Sequence, residues 1–161
     1  MIRRVEQAKR FHRQLDIVRS FIYMKEFCKV MLNYFFRKPK YPVICDIDGY
    51  VIAAKSEKSF LKRLPEVNQD SEKTYNLLDS TAEGWAFMPK HMLVSPLTFK
   101  KQWTKKELIS IFNSRKNVSS EAAQYSEKSL SSRRFERIFA DIVELLLKDK
   151  AKPPAKSSGD I

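Results

Sequence analysis

Glycine is scarce in this chain. Only Gly49, Gly84 and Gly159 occur in 161 residues, too few for the glycine-rich loops that cradle phosphates or dinucleotides. Cysteine and histidine are equally sparse, with two of each. Cys28 and Cys45 lie far apart among apolar residues, so they read as small buried hydrophobes in a reducing compartment. His12 and His91 stand at no ligand spacing from the cysteines or from each other, and no metal site or cofactor is expected. Long apolar runs are also missing. The most apolar stretch, residues 17–36, is interrupted by Arg19, Lys25, Glu26, Lys29 and Asn33, so no membrane span is expected. The opening residues lack the apolar core of a secretory signal. They are Arg-rich with Glu6 as the single acid, a composition that also suits organelle import, but the helical pattern runs on past them. A cytoplasmic location is the default.

What is present is an apolar fraction of 43%, enough for one domain with a real core. We expect a basic extension over residues 1–16, one α+β domain over 17–148 and a disordered tail over 149–161, where apolar content runs out. The net charge of +12 is unevenly laid out. Residues 1–40 carry a net +8, residues 41–84 a net −3, residues 85–118 a net +6 and the remainder +1. Two basic blocks therefore flank an acidic centre.

Periodicity predicts the elements. Residues 17–36 read as an amphipathic helix with Ile17, Phe21, Met24, Phe27, Cys28, Met31, Leu32 and Phe35 on one face, ended by Pro39 and Pro42. That face is expected to pack on the sheet. Val43–Ile47 and Tyr50–Ala54 flank Asp48-Gly49, a strong hairpin signal because both central residues of a type I′ turn need positive φ. A short helix follows with Ser56 as N-cap and Pro65 as its stop. Three strands come next, in "TYNLLDS", "GWAFMP" and "HMLVSPLTF", and Pro96 marks the last as an edge or a bulge. In "QWTKKELISIF", Thr104 and Glu107 form a capping box, with Trp103 and Leu108 placed as a hydrophobic staple. A serine-rich linker or weak helix then precedes an amphipathic helix in "SRRFERIFADIVELLLK", with Phe135, Ile138, Phe139, Ile142, Leu145 and Leu146 on its apolar side. Strands grouped together with helices at both ends make the class α+β.

Two stretches resemble known families. "VICDIDGYVI" resembles the opening motif of haloacid dehalogenase-type phosphatases over about ten residues. The resemblance implies that Asp46 attacks phosphate, that Asp48 protonates the leaving group and that Mg²⁺ sits between carboxylates. Ser95 and either Lys100 or Lys101 would supply two further elements. The late metal-binding acids of that family have no counterpart, since Asp141 and Glu144 fall on the polar face of a helix. The alternation of strands and helices that builds its fold is also absent. "QWTKKELISIF" is similar to the first helix of Myb-type DNA-binding domains, but no second tryptophan follows Trp103.

The leading expectation is a non-catalytic basic protein that contacts nucleic acid or a nucleoprotein. Lys100, Lys101, Lys105 and Lys106 bracket Trp103 at a helix N-terminus, where the dipole disfavours cations unless an external anion faces them. These four lysines are the candidate anion contacts, and no catalytic or metal residues are assigned. The alternatives are a protein-interaction module docking through the helix at 17–36, and the Mg²⁺-dependent phosphatase.

Overall fold

The computed structural model describes residues 31–67, 69–99, 102–117 and 124–149. The basic extension, most of the first expected helix and most of the tail lie outside them. The described part of the chain is a small α+β domain. Six strands form one sheet: β1 (Asn33–Tyr34), β2 (Val43–Ile47), β3 (Tyr50–Ala54), β4 (Tyr75–Asp79), β5 (Gly84–Met88) and β6 (Leu93–Pro96). Their spatial order is β1-β6-β5-β4-β2-β3. Every neighbouring pair is antiparallel except β1 with β6. Four helices accompany the sheet: α1 (Glu57–Arg63), α2 (Lys105–Asn113), α3 (Ser129–Ser132) and α4 (Phe135–Lys148).

The hairpin forms as its turn chemistry demands. Val43 pairs with Ala54 and Ile47 with Tyr50, and the turn residues Asp48 and Gly49 take φ values of 52° and 89°. Strand alternation then sorts the core. Val43, Cys45 and Ile47 point to one face of the sheet, where they meet Phe60 and Leu64 of the α1 segment. Ile44, Val51 and Ala53 point to the other face, beneath Leu108 and Phe112 of α2 and Ile138, Phe139 and Ile142 of α4. Thr104 caps α2 reciprocally with Glu107, and Trp103 is buried in one cluster with Leu108. Ser56 caps α1.

The first expected helix needs correction at its end. Residues 17–30 lie outside the described residues, but 31–36 are not helical. Asn33 and Tyr34 pair in parallel with Leu93 and Val94, and Phe36 turns the chain at φ 65°. Backbone pairing to β6 outweighs the helical period over these last residues. Met31 and Phe35, expected on the packed face, are 70% and 51% exposed, whereas Leu32 is buried. The placement of Phe27 lies outside the described residues.

Pro96 ends β6 opposite Trp85. Leu97 N–H donates to Gly84, so by alternation Pro96 faces away from β5, where β1 has already turned off. Its missing donor costs the sheet nothing there. At the opposite edge, β3 is closed by side chains. Asn117 accepts from the Val51 N–H at 3.0 Å and donates to the Val51 carbonyl at 2.8 Å, while Arg63 donates to the Ala53 carbonyl.

Candidate nucleic-acid interface

The two aspartates of the hairpin have structural work. Asp46 Oδ1 accepts the Gly49 N–H at 2.8 Å and holds the turn. Asp48 pairs with Lys73 at 3.2 Å and accepts from the Tyr75 hydroxyl at 3.2 Å. Ser95 lies in the same lateral row as Asp46, through Ala86 and Asn76. Three strand spacings separate them, about 14 Å, so the two cannot share one phosphate. Among the described residues no group of three His, Cys, Asp or Glu side chains could hold a metal ion. Among the described residues, Asp46 and Ser95 are not brought together as the phosphatase resemblance implies.

Of the four candidate lysines, Lys100 and Lys101 lie outside the described residues. Lys105 is committed to the fold. Its Nζ donates to the Leu130 carbonyl at 2.6 Å and to the Arg133 carbonyl at 2.9 Å. Lys106 is exposed and lines an open groove of about 460 Å³ together with Asp46, Asn76, Trp103, Thr104, Glu107 and Ser110. Two carboxylates share that groove with its single ammonium, so it is a mixed-charge cleft rather than a dedicated anion hole. Arg115, in the same basic block, is sealed inside with its guanidinium against Phe112 and Asp149.

The lysine bridge reveals what the sequence concealed. It ties the junction between α3 and α4 to the start of α2 through the backbone carbonyls of Leu130 and Arg133. Arg133 donates to Asp141 at 2.7 Å and to the Tyr125 hydroxyl at 3.1 Å. The hydrogen bond to Tyr125, and then Asp141, holds its guanidinium above the ordinary value. Arg137 also approaches Asp141, at 3.4 Å, and remains largely exposed. Arg134 is exposed at the N-cap of α4 and has no side-chain cap bond. The arginine run is visible in sequence, but its neighbours are 28 residues away, and no local pattern announces them.

No family model, curated protein or solved structure matches this chain.

A second organising centre lies at the turn from β4 into β5. Asp79 is buried, yet its carboxylate accepts from the Lys40 and Thr81 amides, the Thr81 hydroxyl, the Glu83 amide and Trp85 Nε1. With its oxygens so engaged, the carboxylate can stay buried without a cationic partner. Glu83 is paired with Arg37 and bridges Gln102 backbone to backbone, and the Trp103 N–H donates to Ala82. This turn thus joins the segment after β1 to the segment leading into α2.

Proposed function

We propose that this chain is a non-catalytic binding protein that contacts nucleic acid or a nucleoprotein through its cationic surface. One observation carries the reading. The Lys105 bridge ties the start of α2 to the backbone at Leu130 and Arg133, so that Lys105–Lys106 and Arg133–Arg137, two basic stretches remote in sequence, meet. A surface shared in this way can neutralise several phosphates of one backbone, and phosphate neutralisation dominates such affinities. Of the acids there, Glu107 serves the capping box and Asp141 lies between two arginines, while Glu136 is exposed within the arginine stretch.

The test spares Lys105, because neutralising it would remove bonds to two carbonyls and confuse stability with binding. The full chain carrying Lys100→Gln, Lys101→Gln, Lys106→Gln and Arg134→Gln should bind duplex DNA and RNA more weakly than the parent. Its plot of log affinity against log salt should flatten by up to about 0.9 per lost duplex phosphate contact. A variant that matches the parent across the salt range would show these cations to be only a solvated face.

A further inference from the structure

The groove beside α2 holds polar groups that the fold leaves unused. Asp46 and Asn76 are direct cross-strand partners on β2 and β4, so their side chains rise next to each other from one face of the sheet. Asp46 is half-buried and commits one oxygen to the Gly49 N–H. Its other oxygen, the Asn76 side-chain amide and the Lys106 ammonium make no hydrogen bond or ion pair with another described residue. All three residues line the groove of about 460 Å³, a size within the range of small-ligand clefts, about 300–1,000 Å³. Trp103 and Ile111 add apolar surface to it. Beyond Asn76 the same lateral row continues with Ala86 and Ser95, whose small side chains keep the sheet surface low beside it.

We propose that this groove takes an unpaired nucleobase of a single strand whose phosphates lie over the neighbouring cations. The inference rests on the nucleic-acid reading above and names the form of nucleic acid bound. The lining chooses among occupants. A carboxylate oxygen beside an amide offers an acceptor beside a donor, and the Watson–Crick edge of every base presents the complementary donor beside an acceptor. In a duplex those edges are already paired, so only an unpaired base can use the site. A phosphate would meet two carboxylates, Asp46 and Glu107, against the single ammonium of Lys106. An arginine or lysine from a protein partner carries donors only, so it would leave the Asn76 amino group and Lys106 unmatched. Lys106 belongs both to the groove and to the basic stretch at Lys105–Lys106, so a strand held there by its phosphates runs along the groove's rim.

The experiment measures fluorescence anisotropy of two labelled probes with the full chain: a mixed-sequence single-stranded DNA, and the same strand with its bases replaced by abasic sites. The phosphates are equal in number, so only the bases differ. The parent should bind the base-bearing strand about tenfold more tightly. Asp46→Asn then separates charge from recognition. The new amide oxygen can still accept the Gly49 N–H, so the thermal midpoint should stay within a few degrees of the parent. Removing a negative charge should slightly raise affinity for the abasic strand, whereas replacing the acceptor by a donor should lower affinity for the base-bearing strand about fivefold. Asn76→Ala, at an exposed position, should weaken the base-bearing strand alone and leave the salt slope unchanged. Tighter binding of both strands by Asp46→Asn would show that the carboxylate acts only through its charge, and overturns the inference. A base preference that both variants retain overturns it too, and places the base contact elsewhere. An arginine-rich peptide that binds the parent and is lost with Asp46→Asn would give the groove to a protein partner instead. A parent that binds both strands equally sinks this inference and leaves the phosphate-contact reading standing; a parent that binds neither sinks both.

Discussion

At Gly49 the backbone takes φ 89°, and the space where a Cβ would stand is filled by the aliphatic stem of Lys116, whose nearest carbon lies 3.0 Å away. The Lys116 N–H also donates to the Gly49 carbonyl at 2.8 Å. Gly49→Val should therefore lose at least about 2 kcal/mol in urea unfolding, from left-handed strain and displacement of Lys116 together. The turn requirement was legible in Asp-Gly; the lysine packed against it was not. Cys45 behaves as its apolar neighbours imply. It is a fully buried free thiol, pushed above its ordinary pKa by burial first and by the Asp46 charge second. Lys105 is the contrary case. Its sequence context reads as an exposed cation, but its ammonium is tied to carbonyls 25 and 28 residues away. Side-chain partners at such separations leave no periodic trace.

Elements with strong local chemistry were legible: the hairpin, the capping box of α2 and the apolar side of α4, whose Ile138, Phe139, Ile142, Val143 and Leu146 are buried. β1 was not. A strand of two residues has no period of its own, and it exists because Asn33 and Tyr34 meet Leu93 and Val94 across sixty residues of sequence. The β4–β5 turn also carries more than its length implies, since Asp79 gathers donors from the segment after β1 and from β5. Asp79→Ala would strand those donors in a buried site and should cost about 3 kcal/mol or more, as measured by the urea midpoint. If the variant unfolds with the parent's midpoint, water has replaced the carboxylate and the turn does not depend on it.

Across the whole molecule, charge is divided between the described residues and the rest of the chain. The described residues hold eighteen basic and fourteen acidic side chains, a net +4 of the total +12. Within them many cations are paired: Arg37 with Glu83, Lys55 with Glu144, Lys73 with Asp48 and Lys90 with Glu72. Exposed pairs of this kind add little stability, but they remove cations from the field that a polyanion meets. Among the described residues, a count of cations therefore overstates how many face a partner unpaired. What sequence could indicate was the presence of two basic blocks. Which of their members face outward depends on long-range contacts, such as the lysine bridge to the α3–α4 junction.

The amide of Asn117 imitates a seventh strand along β3, and an amide is chemically perishable. Hydrolysis to aspartate would exchange its donor for a carboxylate facing the Val51 carbonyl, releasing ammonia and opening the edge. Prolonged warm storage should accordingly generate a more acidic form, resolved by ion exchange, and growth of larger assemblies should track its appearance. Freshly prepared Asn117→Asp should self-associate from the outset. Should that variant keep the parent's size in solution for as long as the parent does, the edge is guarded by other means and the protein's shelf life has a different origin.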